Sequence, residues 1–253
     1  MIRLKNSAQI ALMKESGRIV GEALMIAREC IKEGVSTKEI DRKIREYIEK
    51  CGAKPSFLGY GGFPASACIS VNDEVIHGIP SDKKILCEGD IVKVDVGAFK
   101  GGFHGDAART FGVGKISKEA ADLIEVTKAS FFEGLSRIKP DARLGDVGSA
   151  IQTHAEAHGF SVVRTYVGHG IGAALHESPD VPNYGTAGRG QRLVAGMAIA
   201  VEPMINAGGR EVKVMDDEWT VKTVDGSLSA HYENTVVITP DCNILTTLTD
   251  ADR

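Results

Sequence analysis

The order of structural signals along this chain runs through once and then again, and that repetition constrains the fold more than any other feature. In the first pass, Asn6 or Ser7 caps a helix running to about Glu33, with Ile10, Met13, Val20, Leu24, Ala27 and Ile31 as its apolar stripe and Gly34 as its stop. Ser36-Thr37-Lys38-Glu39 is a capping-box pattern that opens a second helix through Ile40, Ile44, Tyr47 and Ile48, closed by Gly52. A strand over Ala67–Val75 follows, then a loop with His77 in IHGIP, then the acid-bearing run EGDIVKVD. In the second pass, Ser117 caps a helix through Leu123, Ile124, Phe131, Leu135 and Ile138, stopped by Pro140. Leu144, Val147, Ile151 and Ala155 mark its partner, ended by Gly159; a strand over Phe160–Val167, a loop with His176 in LHESP and the run AGMAIAVE complete the series. Even the spacing agrees, since Gly89 precedes Asp95 by six residues and Gly196 precedes Glu202 by six. Either match alone is compatible with chance likeness between two helix-and-strand units, but together they imply an internal duplication.

Phe111-Gly112-Val113-Gly114 between the repeats is short and partly apolar, so it does not read as a flexible linker. The expectation is one fused domain over residues 1–253, with halves of about 1–112 and 113–253 whose strands line a shared cleft. At 43% apolar and 25% charged residues, with a net charge of −4, the chain has an ordinary globular composition and no polyanion-binding signature. Cys30, Cys51, Cys68, Cys87 and Cys242 are scattered and lack a CxxC pair, which suits reduced thiols in a cytoplasmic protein. The opening MIRLKNSAQIALMKESG carries charges through every apolar stretch, so neither a secretory signal nor a membrane span is expected.

The chemistry concentrates in Glu88–Thr110, EGDIVKVDVGAFKGGFHGDAART. Val92, Val94 and Val96 alternate with Lys93, Asp95 and Gly97, which puts Asp95 on the face opposite the valines. A turn at Gly101-Gly102 returns the chain so that His104, Asp106 and Ala108 share a face, and the two aspartates meet across one hairpin. Asp is depleted in strands, and one within so apolar a run needs a partner to offset its desolvation; a cation is the obvious one.

Three more residues stand in strand-like or glycine-flanked settings: His169 in VGHGIG, Glu202 in AIAVEPMI and Glu233 in AHYENTVV. Each alone has an ordinary explanation, as a loop histidine, a salt-bridge partner or an exposed edge residue. As a set, four carboxylates and one imidazole form a hard donor group suited to two divalent ions such as Mn(II), Fe(II) or Co(II), which would quench the repulsion among the acids. His104, His154, His158 and His231 read as surface or packing histidines.

The segments VDVGAFKGGFHGDAART, GHGIGAALHESP, AIAVEPMI and SAHYENTVVIT, in this order and spacing, resemble the type I methionine aminopeptidases of the pita-bread fold. That is an α+β architecture whose two pseudo-symmetric halves place antiparallel strands around a central metal cleft, with helices outside. Without a long N-terminal extension or a large insertion before Trp219, the chain resembles the short bacterial-style type I enzymes rather than the type II form. The resemblance implies that Asp95, Asp106, His169, Glu202 and Glu233 hold a dinuclear centre, with Asp106 and Glu233 bridging and a hydroxide between the ions. It further implies that His176 stabilises the oxyanion, His77 contacts the leaving nitrogen, and Glu202 relays a proton. The methionine pocket would comprise Phe57, Tyr60, Phe63, Cys68, Leu175 and Trp219, a lining of rings and sulfur suited to a thioether. The family more commonly has Cys, Tyr and Phe where this chain has Phe57, Phe63 and Leu175, changes that keep the pocket apolar. The implied activity is removal of the initiator methionine from nascent polypeptides with a small second residue. The protein would act as a cytoplasmic monomer in transient contact with the ribosome, although no basic patch announces that contact. Two rivals are a peptidase cleaving before proline, which usually carries an additional N-terminal domain, and a pita-bread binding module without metals, which need not keep the ligand set.

Overall fold

The computed structural model describes residues 2–241 and 243–249; Cys242 lies outside them. Helix α1 (Ser7–Cys30) starts where its cap predicts, with the Asn6 side chain accepting from the Gln9 N–H and the Gln9 side chain returning the bond. It stops at Ile31, before the expected Glu33. Helix α2 (Thr37–Lys50) is capped by Ser36, and α3 (Lys118–Leu135) by Ser117, each accepting from the third residue of its helix. Arg143, whose N–H is taken by the Asp146 carboxylate, opens α4 (Leu144–Ala157).

Each helix pair covers an antiparallel sheet. Under α1 and α2, strand Ile91–Lys100 pairs with Ala67–Val71, Phe103–Gly112 and the short Lys54–Pro55. Val92, Val94 and Val96 enter the core with Ile19, Leu24, Ile40 and Ile44, as the alternation requires. Under α3 and α4, the sheet runs Asn243–Leu245, Asn234–Ile238, Ala198–Val201, Gly168–Gly170, Glu177–Val181. Its core contains Phe131, Val147, Ile151, Ile199, Val201 and Val236.

The duplication is visible in individual hydrogen bonds. Gly34 N–H to Leu86 O recurs as Asp141 to Leu193, Leu86 to Val35 as Leu193 to Ala142, and Thr37 to Lys84 as Leu144 to Gln191, each shifted by 107 residues. Isolated bridges repeat likewise, Ser36 with Ile85 and Arg143 with Arg192. Gly89 and Gly196, at φ +96° and +90°, make the same left-handed turn into the acid-bearing strands, and their N–H groups reach Val113 O and Ile238 O.

Two strand expectations are revised. Ala67–Val75 divides into Ala67–Val71 and Glu74–Ile76, because Asn72 (φ +53°) and Asp73 form a turn. Of Phe160–Val167, only Ser161–Val162 is strand; after the Val163 N–H reaches Met204 O, the chain bends away to bring Tyr166 against His77. Among the described residues no helix is long and apolar enough to cross a membrane.

Candidate metal centre

The inner faces of the two halves meet at a cavity of about 170 Å³. On one side, the Gly101-Gly102 turn, with both residues at positive φ, fixes a register in which Asp95 faces Ala108 and Gly97 faces Asp106. The two aspartates are therefore diagonal neighbours on one face. On the other side, His169 sits in the short strand Gly168–Gly170, Glu202 follows strand Ala198–Val201 just before Pro203, and Glu233 precedes strand Asn234–Ile238. The halves are joined at the centre itself: the Asp106 N–H donates to Thr235 Oγ1, whose hydroxyl donates back to Asp106 O, and the Glu233 N–H donates to Ala108 O.

Asp106, His169 and Glu233 are buried and bring one donor atom each within 4.8 Å of the others. His169 Nε2 lies 3.6 Å from Glu202 Oε1 and 3.9 Å from Asp106 Oδ2. Its Nδ1 lies 2.8 Å from the Gly170 carbonyl, which can only accept, so Nδ1 carries the proton and Nε2 turns its lone pair toward the space that the carboxylates also face, as a metal ligand would. Burial holds this imidazole down to about 3, hence neutral at physiological pH. The acids are displaced the other way. Asp95 is pushed up to about 7 by burial, only partly offset by a hydrogen bond with Asp106. Burial, and then the neighbouring carboxylates, push Asp106 and Glu233 well above the ordinary carboxylate range; burial and Asp95 do the same to Glu202.

Asp95 Oδ1, Asp106 Oδ1 and Glu233 Oε1 are buried without a hydrogen-bond partner. Leaving such oxygens orphaned is costly, and their number in one place requires a common explanation. A hard divalent cation supplies it: the donors are oxygen and neutral imidazole, they converge, and positive charge offsets the desolvation that, with repulsion among the acids second to it, displaces their pKa values.

The cavity above these acids is lined by Phe57, Tyr60, Gly61, Phe63, Cys68, His77, Leu175, His176 and Trp219. Gly97, opposite Asp106, leaves room for the Phe57 ring, since a Cβ there would lie 2.7 Å from Phe57 Cε1. Phe63 meets Trp219 edge-on at 5.1 Å. His176 stands at the mouth, its ring 4.2 Å from that of His169 and its Nδ1 2.7 Å from the Tyr60 hydroxyl. His77 has a left-handed backbone (φ +58°) and lies between Trp219 and Tyr166; burial brings it down to about 4.

Two neighbours of the site were not singled out in the sequence. His231, expected as a surface or packing residue, is buried, with Nε2 3.9 Å from Glu202 Oε2 and no hydrogen bond at either ring nitrogen. Its signal was its place two residues before Glu233, the period of a strand face. The other is Arg109, a buried guanidinium that donates to the main-chain carbonyls of Ala108 and Glu233 and to Asn234 Oδ1.

Comparison with known proteins agrees with this geometry. Residues 11–240 match the model of metallopeptidase family M24. A methionine aminopeptidase from Clostridium perfringens is 56% identical over 241 residues, covering 95% of this chain and 96% of the relative. Methionine aminopeptidase 1 of Bacillus subtilis is 49% identical, covering 94% and 96%. Among solved structures, a methionine aminopeptidase from Thermotoga maritima superposes with a TM-score of 0.96 at 45% identity, over 98% of this chain and 99% of that one. The chain belongs to metallopeptidase family M24 and, within it, groups with the methionine aminopeptidases.

Proposed function

We propose that this protein hydrolyses the N-terminal methionine from nascent polypeptides whose second residue is small, using two divalent ions held by Asp95, Asp106, His169, Glu202 and Glu233. The observation that carries the reading is the convergence of four carboxylates, three with orphaned buried oxygens, and a neutral imidazole beneath a largely apolar cavity. When bound, the ions, taken from Mn(II), Fe(II) or Co(II), would polarise the scissile carbonyl and activate a water. The remaining roles fall to the chain. Asp106 and Glu233, which together with His169 bring donor atoms within 4.8 Å of one another, would be the residues shared between the ions, as the family resemblance implies. Glu202 accepts the proton from the attacking water and passes it on. His176 donates to the carbonyl oxygen as negative charge develops there, and His77 contacts the nitrogen that leaves.

Phe57, Tyr60, Phe63, Cys68, Leu175 and Trp219 receive the methionine side chain. Beyond His77 and His176 a second groove, lined also by Ile76 and Tyr166, offers a path for the rest of the peptide, with the two histidines flanking the place of a small second residue. Reduced cysteines and ordinary surface charge fit a cytoplasmic monomer that meets its substrates at the ribosome without binding nucleic acid.

The test is to strip the protein with chelator, restore Mn(II) or Co(II), and compare Met-Ala-Ser with Xaa-Pro peptides. Metal-dependent release of methionine from the first alone is expected. Cleavage confined to Xaa-Pro peptides would assign the other peptidase class, and no turnover with any metal would favour a binding module.

A further inference from the structure

The loop that carries His176 is tied to the N-terminal segment by a buried charge pair. Lys5 Nζ lies 2.6 Å from Glu177 Oε2, and only 4% and 6% of the two side chains are exposed. Lys5 is itself anchored: its N–H donates to Gly196 O at 2.7 Å and its ammonium also donates to Arg3 O at 2.9 Å. The other Glu177 oxygen accepts from the Ala174 N–H at 3.2 Å, so one carboxylate closes the turn over residues 174–177 while the ammonium sits beneath it. Gly172 has no side chain because Lys5 Cε and Nζ fill that space, and the Gly172 carbonyl takes the His104 N–H at 2.8 Å. The apex of this turn holds Leu175, in the cavity wall, and His176, against His169.

A buried ion pair is a weak source of net stability, because desolvation of both charges opposes their attraction. Its place next to the cavity therefore calls for a positional explanation. We infer that Lys5 is a positioning residue for His176: through Glu177 it fixes the 172–176 loop so that the imidazole stands over the metal centre. The inference rests on the role proposed for His176 and extends it to a residue far away in sequence. Lys5 touches neither substrate nor metal ligands and works only through the loop.

The experiment is a double-mutant cycle on the Mn(II)-loaded protein, with Lys5→Met, His176→Ala and the pair, together with Mn(II) titration and amide hydrogen exchange of Ala174. Lys5→Met is expected to lower kcat about tenfold, the cost of a loosened catalytic group. The Mn(II) dissociation constant should stay within about twofold, and Ala174 should exchange about tenfold faster, with or without metal. In the His176→Ala background the same change should cost less than about twofold, because the group it positions is gone. An undiminished kcat in Lys5→Met, or an equal loss in both backgrounds, would overturn the inference and leave a general structural role. A wild-type rate in His176→Ala alone would remove the underlying role of His176 first, a distinguishable failure that takes the inference with it. Where Lys5→Met does not fold, Glu177→Gln keeps an acceptor for Ala174 and removes the charge, and the same cycle applies.

Discussion

At the scale of single residues, the centre separates groups that hold charge from groups that use it. Asp106 is buried, its Oδ1 is orphaned, and it lies within reach of His169 and Glu233. Asp106→Ala is therefore expected to abolish turnover and weaken Mn(II) binding beyond the ~10- to 100-fold typical of partners outside the ligand shell. His176 has a hydrogen bond to Tyr60 and none to the carboxylates. Its replacement by Ala should leave the Mn(II) dissociation constant within about twofold and lower kcat by roughly 10²- to 10³-fold, the usual loss of one oxyanion donor. Calorimetric titration beside steady-state kinetics separates the two, and equal metal loss in both variants would contradict the division. The acids were legible in sequence because carboxylates in apolar strands are chemically out of place. His231 and Arg109 were not, because an imidazole or a guanidinium in a strand has many ordinary reasons, and theirs arise only from contacts between segments distant in sequence, His231 with Glu202 and Arg109 with Glu233 and Asn234.

At the scale of elements, the hairpin that carries Asp95 and Asp106 depends on glycines for two different reasons. Gly102 needs a left-handed φ of +88° but has open space around it, whereas Gly105 lies against the backbone of α1, where a Cβ would stand 2.8 Å from Gly17 N and 3.0 Å from Gly17 Cα. Gly102→Ala should then cost about 1 kcal/mol, the strain of one turn residue. Gly105→Ala should cost about 1–3 kcal/mol, since neither backbone can yield. It should also weaken Mn(II) binding by shifting the neighbouring Asp106. Urea denaturation of the chelated variants ranks the two costs, and an order reversed from this one would mean that α1 tolerates displacement. Helix starts were readable because Asn6, Ser36 and Ser117 act locally on the first turn. Strand lengths were less so: a run such as Phe160–Val167 is apolar enough for a strand, yet pairing lasts only while Met204–Asn206 runs alongside it.

At the scale of the whole molecule, two copies of one helix-helix-sheet unit face each other, and the seam between them collects the acids of both. Such an arrangement folds with repulsion at its centre, so its stability must depend on what neutralises it. In the metal-free protein Asp95 is pushed up to about 7, and Asp106, Glu202 and Glu233 are also pushed up, in every case first by burial. A carboxyl whose folded-state pKa exceeds its unfolded value, near 4, contributes stability that is complete below that unfolded value and is lost as pH rises through the folded one. The four acids therefore favour the chelated protein at pH 5 over pH 8, while His77, His104, His169 and His231, held by burial below the unfolded imidazole value near 6.5, act the other way over the same range, so the pH dependence of the chelated protein is the balance of the two sets. Mn(II) reverses the logic of the acids, because it binds deprotonated carboxylates and neutral imidazole, so protons compete with it and its linkage contribution grows with pH. Differential scanning fluorimetry from pH 5 to pH 8 should show the gap in Tm between the Mn(II)-loaded and chelated protein widening as pH rises. A gap that narrows would mean that the seam is held together by something other than the exchange of protons for metal.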